Sequence, residues 1–361
     1  MSEFYVDPAG LTGLYNQYAR ASGDAVDVLD YTKRHCDLPM VSEGFLMMVI
    51  GPHKEVYEEL TAALARLDSL TRGAGSQVNA AQNDYARADQ GAAARVDASY
   101  PGAKDVAYVG EMLGRQRPDA HAAFADVGEP TARLTNPEYA VGIEMWSINP
   151  LADLVSPAAW LRQISIWLFS FDPLEGWAKD VGGDWKAYTH CAMAMGHIGA
   201  ASRDLGANLL AGAQDVPSVW RGRAAEAEQE FQLQLGLAAA ALNDACGQYK
   251  QLYLQAAEAV KKLVDVVAGL ITDLIDLLII INAASAVGTA LIETGIGALA
   301  GYSVAAYYTW QAYDLYKHIS DFYGKTEDMI KLIAGSIGAV KADIAVKDLP
   351  SVAPYHHPAG Y

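Results

Sequence analysis

Two His-Cys neighbours, His35-Cys36 and His190-Cys191, a third cysteine at Cys246 and a terminal His356-His357 pair are the residues best suited to nucleophilic or metal chemistry. A catalytic thiol needs a base within hydrogen-bond reach, and adjacent residues on a helix point about 100° apart. Neither dipeptide therefore supplies a nucleophile and base by itself. Cys191 and Cys246 fall at apolar positions of helical patterns and read as small core residues. Three widely spaced cysteines allow at most one bridge, which is no disulfide framework. No further metal ligand lies close in sequence to His356-His357, and the chain has no phosphate-cradling glycine loop, HExxH or CxxC. A non-enzymatic protein without cofactor or metal is expected.

The elements that would position any site are helices. Trp185, Tyr188, Ala192, Met195, Ser202, Leu205 and Leu209 recur at steps that share a helical face. Downstream, Phe231, Leu235, Ala238, Leu242, Ala245, Tyr249, Leu252, Ala256, Ala259 and Leu263 alternate four and three, the seam of an antiparallel helix pair. Between them stands Asp215-Val-Pro217-Ser-Val219-Trp220-Arg-Gly222, in which Pro217 is expected to stop the first helix and Gly222 to permit a tight turn. Trp220 is placed to plug the end of the pair.

The first hundred residues repeat the pattern. Leu11, Leu14, Tyr15, Tyr18, Ser22, Ala25, Leu29 and Thr32 mark one helix, ended near Asp37-Leu-Pro39. A second, expected to start near Gly51-Pro52, carries Val56, Leu60, Ala63, Leu67, Leu70, Ala74, Val78, Ala81, Tyr85 and Ala88. The turn Asp37-Leu-Pro39-Met-Val41-Ser42-Glu-Gly44 matches residues 215–222 at Asp, Pro, Val and Gly, with Ser42 where the later copy has Trp220. The fold expected is all-α: two long antiparallel helical hairpins, four-helix-bundle-like, plus a hydrophobic C-terminal helical region.

Trp220-x-Gly222 in the turn of a long hairpin resembles the WxG superfamily of type VII (ESX) secretion substrates. Tyr85-Ala-Arg-Ala-Asp89 is similar to the Tyr-x-x-x-Asp/Glu export signal of that superfamily, and residues 84–101 resemble a segment of actinobacterial ESX-associated helical-hairpin proteins. The resemblance implies a secreted or cell-surface protein whose partners are the type VII secretion machinery, an ATPase or chaperone, and other WxG-type helical proteins. It makes Trp220, Gly222, Tyr85 and Asp89 the candidate motif residues. In the family the two motifs can come from opposite members of a heterodimer. Stepping from Gly222 as from Gly44 to Tyr85 and Asp89 lands on Leu263 and Val267, so each copy keeps one motif and lacks the other.

Composition fits. The chain is 52% hydrophobic and only 19% charged, enough for a large core. Its formal charge of −17 makes nucleic acid and anionic membranes poor partners. The start lacks the basic and apolar regions of a Sec signal peptide, so export would use another route. Five regions are expected: residues 1–100, the first hairpin; 101–155, a Pro/Gly-rich connector; 156–263, an aromatic cluster and the Trp220 hairpin; 264–345, a hydrophobic helical region; and 346–361, a disordered tail. Leu277 to Ile292 carries no charge and would span about 24 Å as a helix, short of the roughly 30 Å hydrocarbon core. A membrane-active or membrane-anchored effector using 264–310, a toxin-delivery module and a cytoplasmic location are the alternatives.

Overall fold

The computed structural model describes residues 4–39, 44–88, 90–116, 122–138, 166, 181, 184–290, 296–344 and 349–350. The described chain is all-α apart from one two-residue strand pair. In order it forms β1 (Tyr5–Val6), α1 (Pro8–Cys36), α2 (Gly44–Arg87), α3 (Gln90–Ala98), α4 (Val106–Arg115), a 3-10 turn (Pro130–Arg133), α5 (Trp185–Val219), β2 (Trp220–Arg221), α6 (Arg223–Ala290), α7 (Ile296–Val340) and a 3-10 turn (Lys341–Ile344).

Asp7 starts α1 by accepting the Ala9 amide at 3.0 Å, with Pro8 in the first turn where its missing N–H costs nothing. The helix runs against α2 in the opposite sense: Gln82 Nε2 donates to the Pro8 carbonyl at 2.8 Å, and Ser22 to Asp68 at 2.6 Å further along. The pair α5 and α6 also runs oppositely. Where they cross most closely, a Cβ on Gly206 would lie 2.6 Å from the Gly236 carbonyl oxygen, so the two backbones touch.

The two pairs meet along α1 and α5. Gln17 Nε2 donates to the Asn208 carbonyl at 2.8 Å, and Gly10 faces Val219. A strap formed by residues 122–138 crosses both helices. Arg20 of α1 pairs with Asp126 and donates to the Phe124 carbonyl, and the Tyr31 hydroxyl donates to the Thr135 carbonyl at 2.7 Å. On the α5 side, Asn208 Oδ1 accepts the amides of Val127 and Gly128, Asp215 accepts that of Phe124, and Asp204 pairs with Arg133 at 2.7 Å. The connector expected over 101–155 thus contributes a staple as well as the short helix α4.

Three boundaries differ from the sequence reading. The second helix begins at Gly44 rather than near Gly51, and Pro52 lies inside it. Pro217 lies inside α5, and the break is confined to Trp220–Gly222. Proline leaves the carbonyl four residues back without its helical donor; here the Gln229 side chain supplies one to the Ala213 carbonyl at 2.8 Å. Lastly, α6 passes residue 263 without interruption and reaches Ala290, 68 residues and about 100 Å in all.

The periodic positions mostly face inward, but Ala238 and Leu252 are half-buried while Ala239 and Tyr253 are buried. α6 packs against α5 and α7, which widens its buried face beyond a single seam. α7 also contacts α2, where Phe45 and Tyr323 sit 5.0 Å apart. One core cluster accordingly joins Phe45 and Val49 to Trp185, Tyr253, Val264, Ile271, Leu278, Ile319 and Ile337. No helix among the described residues is long and apolar enough to cross a membrane. The aromatic run at 156–182 lies outside the described residues apart from Ile166 and Val181, as do His356-His357 and Asp89.

Candidate functional site

The Trp220-x-Gly222 turn is built by four segments. Asp7 N–H donates to the Val219 carbonyl at 2.7 Å, and β1 pairs antiparallel with β2, Tyr5 opposite Arg221 and Val6 opposite Trp220. This extends the backbone at Trp220 (φ −145°, ψ 126°) and turns its indole inward, fully buried. On the outer face the Arg221 guanidinium lies 5.5 Å from the centre of the Tyr5 ring, a cation–π contact.

Inside, Trp220 meets Tyr85. Their ring centroids are 6.0 Å apart at 71°, the edge-to-face arrangement that aromatic quadrupoles favour. Phe4 covers the other side of Tyr85 at 5.7 Å, and Leu70, Ala74, Val78, Ala93, Ala224 and Ala225 belong to the same cluster. Tyr85 comes from the end of α2, Trp220 from the junction of α5 and α6, and Phe4 from ahead of α1. The structure therefore brings together two of the motif residues that the sequence separates.

Gly222 does more than turn the chain. Its φ is +137°, a conformation open mainly to glycine, and an added Cβ would fall 2.4 Å from Asp97 Oδ2. Asp97, from the end of α3, accepts the amide of Arg223 at 2.9 Å and that of Ala224 at 3.0 Å. A buried carboxylate thus caps the first turn of α6, where orphan N–H groups and the helix dipole both favour negative charge. Arg223 also reaches the Tyr100 carbonyl at 3.1 Å.

Asp97, Phe4 and Val6 were missed by sequence reasoning. One signal for Asp97 was present: α6 opens on Gly222-Arg223-Ala224 with no side-chain N-cap of its own, so an acceptor had to come from elsewhere. Nothing comparable marked Phe4–Val6, because a two-residue strand has no periodicity.

Behind the aromatic group lies a buried polar layer. The Tyr18 hydroxyl donates to Glu228 Oε1 at 2.6 Å, and Gln232 Nε2 donates to Gln17 Oε1 at 2.9 Å. Glu228 is fully buried, and desolvation pushes its carboxyl up to about 7 against the smaller opposing effect of the Tyr18 bond. A second buried group ties α1, α2 and α6: His53 Nε2 donates to the Cys36 carbonyl at 3.0 Å, which leaves Nδ1 to accept from the Tyr253 hydroxyl at 2.6 Å. Burial lowers His53 to about 4, so the ring is neutral.

Trp220, Tyr85, Gly222 and Asp97 form a joint, with ring packing and helix capping as its chemistry. Among the described residues no group of three or more His, Cys, Asp or Glu side chains is placed to hold a metal ion. Comparison of the chain with protein-family models, curated proteins and solved structures finds no match.

Proposed function

We propose that this chain is a non-enzymatic type VII (ESX) secretion substrate or secretion-associated protein, acting through helical partner binding and exported by a composite signal. On this reading α1–α2 and α5–α6 are two antiparallel hairpins fused into one pseudo-heterodimer, each supplying half of the signal. The observation that carries it is the edge-on contact of Tyr85 with Trp220, one from each pair. Each motif was singled out by a separate local pattern, and sequence distance gave no reason for them to touch.

The reading is tested by export from cells with and without a working type VII secretion ATPase. Tyr85→Ala and Trp220→Ala should each stop export while helicity by circular dichroism stays nearly intact, and the double variant should be no worse than either. Removing Trp220 from a closed core costs about 3–5 kcal/mol, so Trp220→Phe serves as a better-folded control. Normal export of both alanine variants would reduce Trp220 and Tyr85 to packing residues.

Association with a membrane surface is favoured by one observation, the exposed row Val304, Tyr307, Trp310 and Tyr313 on α7. Aromatic residues suit the headgroup boundary. Liposome flotation decides: a chain that stays at the bottom of the gradient at every lipid composition rules this reading out.

A further inference from the structure

The two His-Cys dipeptides face each other across the contact of α1 with α5. At its half-buried rim, His35 Nδ1 lies 3.1 Å from His190 Nε2. One residue further along each helix, the Cys36 thiol points at Cys191, its sulfur 3.9 Å from the Cys191 carbonyl oxygen. Both cysteines are fully buried. The Cys36 thiol is held well above its usual range by its hydrogen bond to Cys191 and by burial. His53 anchors the Cys36 carbonyl, while Cys36 is the last residue of α1, so its backbone has one helical neighbour rather than two. Such a position can absorb the small adjustment that disulfide geometry requires.

We propose that Cys36 and Cys191 are a disulfide site that covalently ties the N-terminal helix pair to the second one. The two thiols lose two protons and two electrons to form the S–S bond, and a disulfide oxidant, such as glutathione disulfide, is reduced to two thiols. Cys246 is the bystander: it comes from α6 and packs against Gly199 of α5, and although it lies within electrostatic reach of Cys36, the hydrogen bond from the Cys36 sulfur goes to Cys191. Buried, protonated thiols exchange slowly, so the bond forms as the two pairs close on each other or reopen in an oxidising medium, and burial then shields it from reductant. The cross-link spans 155 residues of chain, a span at which restriction of the unfolded state is large. This site stands independently of the export reading.

The test uses the full chain, refolded in a glutathione/glutathione-disulfide buffer, alkylated under denaturing conditions and digested without reduction. Mass spectrometry should find one linked peptide joining Cys36 to Cys191, with Cys246 alkylated. The oxidised form should melt about 5 °C above the reduced one. Cys246→Ala should keep both results, whereas Cys191→Ala should lose both. Should Cys191→Ala fail to fold, the Cys246→Ala chain decides alone, since it carries only the two proposed partners. Full alkylation of all three thiols, or a link through Cys246 or to a second copy, overturns the proposal.

Discussion

Gly222 illustrates how a single residue can carry two constraints, one of backbone and one of space. Its positive φ strains any side chain, and the Asp97 carboxylate occupies the volume that a Cβ would need. Gly222→Ala should therefore cost roughly 1–3 kcal/mol from the backbone alone, with more added by displacement of Asp97. Asp97→Ala removes only the cap, for about 1 kcal/mol. If the two substitutions prove fully additive in thermal melts, the glycine and the carboxylate are not coupled as the geometry requires. Two buried titratable groups set opposite slopes with pH. Glu228 keeps its proton to about pH 7, whereas the ordinary value is 4.5. The unfolded chain releases that proton earlier, so stability falls as pH climbs from about 4.5 to about 7. His53 stays neutral to about pH 4 against an ordinary 6.5, so its contribution is lost as pH falls through that window. Each slope amounts to something on the order of 3 kcal/mol. Half-buried Asp24, pushed to about 6 chiefly by desolvation, adds to the Glu228 side. The native chain should show a shallow profile between pH 4.5 and 6.5, Glu228→Gln a rising one and His53→Gln a falling one; unchanged slopes in both variants would sink the assignment.

At the scale of elements, the inward faces of α1, α2, α5 and the first part of α6 were legible because apolar side chains at three- and four-residue steps can be buried only as helices. Tyr15 is an exception, exposed although it follows Leu14 on the same pattern. The ends were not legible, because proline's effect depends on who replaces its missing donor. At Pro217 the replacement comes from Gln229, twelve residues on and in another helix, which no local rule could see. Gln229→Ala should cost about 1 kcal/mol in the native background and almost nothing beside Pro217→Ala, where the backbone regains its own N–H. An equal cost in both backgrounds, measured by a double-mutant cycle in denaturant, would show that the bond does not compensate the proline. The strap at 122–138 escaped notice for a related reason. Its hold depends on Arg20, Asn208, Asp204 and Asp215, each unremarkable on its own helix, and only the assembled helices bring them to one segment.

For the molecule as a whole, the apolar stretch after Leu263, expected as a region of its own, shares its interior with the helices before it. Val264, Val267, Ile271 and Leu274 share a cluster with Phe45, Trp185 and Tyr253, and α7 lies on both α2 and α6. A chain ending at residue 263 should therefore melt earlier than the intact protein and bind a hydrophobic dye, since Phe45 and its neighbours lose the Tyr323 side of their packing. A truncated chain as stable and as silent to the dye as the full one would restore an independent first half. The strand pair has a consequence in time. Residues 5–7 meet residues 219–221, and Tyr85 finds Trp220 only once the second helix pair exists. A ribosome adding roughly 5–20 residues per second needs on the order of ten seconds between those two aromatic residues. Throughout that interval the nascent chain displays an unfinished surface, so any receptor that reads the assembled joint must wait until synthesis has passed Ala224 and cannot engage the first helix pair alone.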